Sequence, residues 1–542
     1  MIGFIKRSPL AVLMVVSILM LVPNLGLIQT NIMEARNLIS AREMVNDGHW
    51  IFTTLNNMPR YEKPPLPTWI TAFFMLIGGM QNMFWLRLPV VLVTLLLVYF
   101  FYRLAKELQL KNNHPFHAGL ILITSFYIFF SGRDNQWDMY THAFMVASIF
   151  YLLRVFNQTS LHFTTILAAG VFFGFSFLSK GPVSLYGLWL SFLIAYFIVY
   201  RKGEGRKLLY VLLVLITGLA IGFSWPLYVK YFDTNATTAL SKQAENWTNY
   251  EIKPFWYYWS FFTQSGLWTL PAVIGLMYLY MIRRVANAKA YTLSFLWTII
   301  AVILLSLIPE KKARYLLPVL IPLALNTSFY IQYLITDFKS IKSRIEAGLV
   351  YFNFGLIALI AVAAPLTVFI LFSAKLAGYV FWYVLFTLIC IFSALLITSG
   401  LSKRKFLRVF YTTIFFMCGL VVTLIPLSKL YYSNDGYYAA SNLRVVEKQH
   451  NIKTYEADDF IPEIVWDYGT WIPQLGKGET PVIPSENKFG LLGDSIAVDA
   501  LQKKFTAYTF QKYAEVDLNA ISKQTKGYNN RIAKNYYIVQ KK

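Results

Sequence analysis

Residues 30–67 read TNIMEARNLISAREMVNDGHWIFTTLNNMPRYEKPPLP and follow directly on the apolar run Pro9 to Ile28. Within them stand Glu34, Arg36, Arg42, Glu43, Asp47, Arg60, Glu62 and Lys63. Charges held at a bilayer surface lose much of their water, so they are costly unless they pair or bind a charged ligand. Acids and bases mixed beside a membrane-length segment therefore imply a polar pocket for an anionic, lipid-borne substrate. Met33, Leu38, Ile39, Met44 and Val45 fall among the charges at helical spacing. That spacing predicts an amphipathic helix lying flat on the membrane and ending at Asp47-Gly48.

Outward from this loop the chain reads as an integral membrane protein. Hydrophobic residues make up 57% of its 542 positions against 14% charged, with mean hydropathy +0.49. Apolar runs long enough to cross about 30 Å of hydrocarbon recur through the first 430 residues. They predict about thirteen spanning helices, near 9–29, 83–106, 115–131, 138–156, 162–179, 183–200, 208–229, 257–282, 290–308, 314–335, 347–373, 377–400 and 408–429. The first run follows Lys6 and Arg7 but lacks a small-residue cleavage site, so it reads as a retained anchor. Pro67 to Met80 is apolar but short, and is expected to lie in the interface or to re-enter partway.

The net charge is +22, yet residues 431–542 hold 14 Lys/Arg and 13 Asp/Glu, so +21 belongs to the membrane part. That placement argues against a nucleic-acid partner and for loop orientation by Lys and Arg. With the N-terminus cytoplasmic, the clusters Arg103/Lys106/Lys111, Arg201/Lys202/Arg206/Lys207, Arg283/Arg284/Lys289, Lys339/Lys342/Arg344 and Lys403/Arg404/Lys405/Arg408 all fall inside. An odd number of spans then sends the tail outward. Domain organisation follows: 1–430 a polytopic membrane domain, and 431–542 a small periplasmic α/β domain. Turn signals in the tail are Asn434-Asp435-Gly436, Gly476-Lys477-Gly478 and Pro481 to Pro484. Tyr437 to Gln449 reads as helix, Phe505 to Phe510 and Asn535 to Gln540 as strands. Cys390 and Cys418 lie inside apolar runs, as small core residues.

Five polar motifs fall on the outer side of this topology. They are Glu34-Ala35-Arg36, Glu62-Lys63-Pro64-Pro65-Leu66, Trp137-Asp138, Lys180-Gly181-Pro182 and Arg314-Tyr315-Leu316-Leu317-Pro318. Blander readings stand beside each: interfacial ion pairs that snorkel for the first two, and headgroup binding for Lys311, Lys312 and Arg314. Trp50, Trp69, Trp256 and Tyr257 read as interface anchors; Trp137 reads as an anchor or as a surface for stacking a sugar. His142, in an apolar helix, reads as a hydrogen-bonded core residue.

Taken in order, the five motifs resemble the bacterial lipid A aminoarabinose transferases and the wider group that includes protein O-mannosyltransferases, both GT-C glycosyltransferases. The resemblance implies a multi-span helical bundle with amphipathic helices in the first outer loop and a C-terminal periplasmic domain. It implies transfer of a sugar from a polyprenyl-phosphate donor to an acceptor at the outer face of the bacterial inner membrane. By the same resemblance Arg36, Lys63 and Lys180, with Arg314, would hold the carrier phosphate, and Glu34, Glu62 or Asp138 would serve catalysis. The chain departs from the pattern where the family has Asp-Glu and this sequence has Met33-Glu34. It departs again in the loop 230–256, which offers Lys230, Lys242, Glu245 and Lys253 in place of a metal-binding His and a phosphate-binding Arg. No metal site is assigned, and a divalent metal stays open. The acceptor is left as a glycolipid, a glycan or a protein hydroxyl. A lipid-linked sugar flippase and a membrane scaffold are the alternatives from other classes.

Overall fold

A computed structural model describes residues 7–158, 162–200, 205–234, 236–238, 241, 251–432, 434–475 and 482–542. Arg201, Lys202, Lys242, Glu245 and the turn at Gly476 to Pro481 lie outside the described residues. Among those described, eight helices are long and apolar enough to cross a membrane, from Met83–Glu107 to Phe406–Leu430. Shorter apolar helices cover Pro9–Leu21, Leu66–Gly78, His114–Ile123 and Leu185–Tyr200. This is a multi-pass membrane protein, predominantly helical, with a small sheet domain.

Most expected spans are single helices, and the exceptions break at identifiable residues. The run 257–282 is divided into Phe255–Tyr258, Phe261–Trp268, Thr269–Gly275 and Tyr278–Met281. Its kink is at Gly266, whose φ of +67° suits glycine and where a Cβ would meet the Phe126 ring at 2.4 Å. The run 115–131 breaks between His114–Ile123 and Phe126–Ser131, where the Thr124 and Ser125 hydroxyls donate back to the carbonyls of Leu120 (2.6 Å) and Ile121 (2.8 Å). The first helix stops at Leu21, ahead of Pro23. Leu66–Gly78 has 13 residues. At 1.5 Å per residue it is about 20 Å long, short of a bilayer core.

The chain divides into two compact units: Met1–Leu27, Tyr61–Ile70 and Gln81–Leu427; and Ile28–Arg60, Thr71–Met80 and Ser428–Lys542. In the first, the helices Phe163–Lys180 and Gly205–Phe232 pack through paired small residues. A Cβ on Gly170 would come 2.5 Å from Thr217, on Gly174 2.6 Å from Ile221, on Gly218 2.3 Å from Phe173, and on Gly222 2.7 Å from Phe177. Glycines four apart on both helices let the backbones approach, the usual solution where lipid removes any hydrophobic drive to associate.

The second unit is built on a four-stranded sheet in the order Thr454–Glu456, Lys488–Gly493, Ala533–Lys541, Tyr508–Asp517. The first pair is parallel and the others antiparallel. Leu443, Val446, Ile464, Val465, Leu492, Val516 and Tyr536 form its core, and Ile39 and Leu55 join the same cluster. The helix expected in the first loop forms as Ile32–Asp47, capped by Asn31 and ended by Gly48 at φ +77°. Its setting differs from the expectation. Eleven of its sixteen residues are buried, charged ones included, so it does not present one apolar face to a membrane and one wet face to solvent. Arg42 explains part of this: its guanidinium donates to the carbonyls of Val465 and Trp466, both at 3.1 Å, and stacks 5.4 Å from the Trp466 ring centroid. Those carbonyls close the helix Pro462–Tyr468, where a cation is favoured. Asn56 pairs both ways with the Ile472 backbone at 2.8 Å.

Candidate active site

Two antiparallel helices of the first unit bring opposite charges together. Asp138 lies in the first turn of Trp137–Asn157, where the helix dipole favours an anion; Lys180 is the last residue of Phe163–Lys180, where it favours a cation. Gly181, at φ +80°, ends that helix with its N–H on the Phe177 carbonyl at 2.7 Å and turns the chain into Pro182. Lys180 donates to Asp138 Oδ1 in a buried ion pair. The second Asp138 oxygen has no hydrogen-bond partner among the described residues. Arg314 acts electrostatically on both members of the pair.

Lys180 also lines a cavity of about 370 Å³. Glu62, Lys63 and Pro64 form one side, Gly181, Pro182 and Tyr186 another, and Glu310 and Tyr315 a third, with Phe177, Phe223, Trp225, Leu305 and Ile308 as apolar wall. Tyr315 is the organising residue of the charged end. Its ring centroid lies 5.0 Å from Lys180 Nζ and 5.6 Å from Arg314 Cζ, and its hydroxyl donates to Glu310 Oε1 at 3.0 Å. Lys312 pairs with the same Glu310 oxygen at 3.2 Å. Tyr61 donates to Asp233 Oδ2 at 2.5 Å and packs on Trp225, holding the Glu62-Lys63 segment against the wall.

Of the seven expected site residues, Glu62, Lys63 and Lys180 line this cavity, with Asp138 and Arg314 beside Lys180. Glu34 and Arg36 belong to the second unit, on its helix Ile32–Asp47, where Glu34 is buried. Tyr61, Tyr315 and Glu310 carry no role in the sequence reading, although each stands beside a charged residue, Glu62, Arg314 and Lys311 respectively. Neighbouring polar residues have structural duties. Arg133 donates to the carbonyls of Met20 (3.2 Å), Leu21 (2.8 Å) and Pro23 (2.7 Å) and so caps the first helix. Trp137 is buried, not an interface anchor, and His142 bonds Ser184 at 2.6 Å. Lys311 spends its ammonium on the Ile308 (2.7 Å) and Lys253 (3.1 Å) carbonyls rather than on headgroups. Among the described residues no three His, Cys, Asp or Glu side chains converge to hold a metal ion.

A single polar end in an apolar, aromatic cavity suits an amphiphile with an anionic head. Residues 62–228 match the family model of dolichyl-phosphate-mannose-protein mannosyltransferase. Over 99% of this chain and 98% of the other, the structure superposes on crystal structures of ArnT from Cupriavidus metallidurans, with TM-score 0.68 in the apo state and 0.69 bound to undecaprenyl phosphate, at 15% identity. The chain has the ArnT fold. An undecaprenyl phosphate-alpha-4-amino-4-deoxy-L-arabinose arabinosyl transferase from Photorhabdus laumondii is 26% identical over 345 residues, and one from Proteus mirabilis 26% over 337. The match spans 61% of this chain and 60% of each relative. The resemblance read from the motifs therefore holds in sequence and in fold. The stretch matched by the family model contains Glu62, Lys63 and Lys180, which line the cavity, and Asp138, which pairs with Lys180.

Proposed function

We propose that this chain is a membrane glycosyltransferase. It moves a sugar from a polyprenyl-phosphate donor to a cell-envelope acceptor, a lipid A-like glycolipid or glycan. It acts on the periplasmic side of the bacterial inner membrane, with the N-terminus cytoplasmic and residues 431–542 periplasmic. The observation that carries the reading is the cavity in which Lys63 and Lys180 provide cationic groups within largely apolar and aromatic walls. The names of the relatives, undecaprenyl-phosphate-dependent arabinosyl transferases, support the same donor class.

In this reaction the bond from the anomeric carbon to the carrier phosphate breaks, its electron pair leaving with the phosphate. The acceptor oxygen attacks from the opposite face. Negative charge on the leaving phosphate grows along the path, so fixed cations stabilise the transition state more than the bound donor. Lys63 and Lys180 take that role, with Arg314 and Arg36 as further donor-binding groups. Asp138, engaged by Lys180 and buried, positions the ammonium and balances its charge. Glu62 faces the cavity and takes the proton of a hydroxyl acceptor; Glu34 is the other candidate in the absence of an acid at Met33. An ionised phosphate acceptor needs no base.

A protein hydroxyl acceptor is the second reading, favoured by the mannosyltransferase description of the matching family model. Membranes containing the chain, incubated with a polyprenyl-phosphate donor labelled in its sugar, separate the cases. Label in the lipid or glycan fraction supports the first acceptor class and label on protein the second. Label that crosses liposomes on intact carrier, with no new glycosidic bond, overturns both in favour of a flippase.

A further inference from the structure

We infer that the chain holds a second, independent lipid site: a pocket for the phosphodiester of an anionic phospholipid at the end of the helix Met83–Glu107. The pocket has a volume of about 720 Å³ and is open on one side. Its lining brings Ser8 to Ala11, the start of one apolar helix, against Tyr102 to Glu107, the end of another. Helices that meet start to end run antiparallel, so the pocket sits where both leave the hydrocarbon, at headgroup depth. Its size is that of ordinary small-ligand sites.

The charges identify the ligand. Arg103 and Lys106 line the pocket, and neither has a carboxylate partner among the described residues. Arg103 donates to Tyr99 at 2.9 Å and lies 5.5 Å from the Phe150 ring centroid, which orients its guanidinium and leaves further N–H donors. Lys106 stands 5.6 Å from the Tyr102 ring centroid. Glu107 is the one acid in the lining, and its Oε1 is held by Asn157 Nδ2 at 3.0 Å. Across from the cations, the helix Pro9–Leu21 begins without a side-chain cap, so the amides of Leu10 and Ala11 lie in its open first turn. Two cations and a helix start around one space ask for a doubly charged or multi-oxygen anion, and the depth makes a phospholipid headgroup the one at hand. This site uses no residue of the proposed active centre, so its fate and that of the sugar-transfer reading are separate.

Native mass spectrometry of the full chain, purified in mild detergent and offered phosphatidylglycerol or phosphatidylcholine, tests it. The expected result is preferential retention of phosphatidylglycerol, reduced about fivefold for each of Arg103→Gln and Lys106→Gln and weakened by salt. Lys106 is exposed, so K106Q keeps the test valid should R103Q fail to fold. Sugar transfer by K106Q should match that of the unaltered chain. Equal retention of the two lipids, retention unchanged in K106Q, or displacement of the lipid by millimolar inorganic phosphate would each overturn the assignment, the last in favour of a free-phosphate site.

Discussion

Both units bury charge, and they use it differently. In the first, Lys180 and Asp138 neutralise each other at two helix ends while the lysine still lines an open cavity. In the second, Arg42 spends its donors on the Val465 and Trp466 carbonyls, and Glu43 accepts from Thr54 at 2.5 Å and from the Asn57 N–H at 3.1 Å. Burial pushes Arg42 down to about 10 and Glu43 above its ordinary value, but both are satisfied by their own fold. A buried charge consumed by backbone is a fastening. One balanced by a counter-charge beside a cavity keeps a face for a ligand. The chain's many charged motif residues sort by that criterion.

The largest effect should come from breaking the pair that faces the cavity. On the proposed chemistry, Lys180→Met removes a cation from the leaving phosphate and should lower sugar transfer by about 100- to 1000-fold. It also strands a buried carboxylate, which costs on the order of 3–5 kcal/mol. Adding Asp138→Asn should restore thermal stability without restoring turnover. A double variant that regains activity would reduce the pair to scaffolding.

Arg42→Met asks the converse question of the second unit. Loss of two charge-assisted bonds and an aromatic contact should destabilise this unit by on the order of 3 kcal/mol. Faster hydrogen exchange across Pro462–Tyr468 is the readout. Unchanged protection there would mean that the guanidinium is not a fastening.

The membrane architecture was legible because spanning imposes length and apolarity on each run, and both are properties of a short window. So was the end of the first-loop helix, since Asp47-Gly48 acts locally. The burial of that helix was not: Arg42 finds its partners more than 420 positions away, and nothing near it distinguishes a carbonyl-bound arginine from a snorkelling one. The break in 257–282 depends on Phe126 meeting Gly266 from another element. At the site, the motifs carrying Lys63, Asp138 and Lys180 stand out because each is contiguous. The pairing of Asp138 with Lys180 does not, because it arises only where two helix termini meet. The paired glycines stand in the sequence as Gly170-x-x-x-Gly174 and Gly218-x-x-x-Gly222, but the pattern alone does not say which two helices meet.

A smaller effect, of pH, sharpens the contrast inside the second unit. Glu456 is pushed up to about 8 from 4.5, by burial first and then by Asp458. Asp459 adds to the rise and Lys534 opposes it. Because its folded value lies above the unfolded one, the native state holds the extra proton between about pH 4.5 and 8. Stability falls as pH rises through that window, by at most about 1.4 kcal/mol per unit. Glu456→Gln should flatten this slope and stabilise the sheet domain at pH 8, read by hydrogen exchange in Thr454–Glu456 and Lys488–Gly493. A slope unaltered by the substitution would place the titration elsewhere, on Asp458, which burial also raises.

The smallest expected effect returns to the first unit and to the scaffold beneath Lys180. Gly218→Ala places a methyl 2.3 Å from Phe173 Cδ1, and Phe173 Cβ at 3.0 Å leaves the ring little room to turn away. Overpacking of this size costs about 1–3 kcal/mol, and part of it is relieved by sliding one helix along the other. That relief would shift Lys180, seven residues along the same helix as Phe173, relative to Lys63. The prediction is therefore a modest loss of stability with a rise in donor KM larger than the fall in kcat. If both kinetic constants stay unchanged while stability drops, the glycine seam holds the membrane bundle together and has no part in setting the spacing of the two lysines.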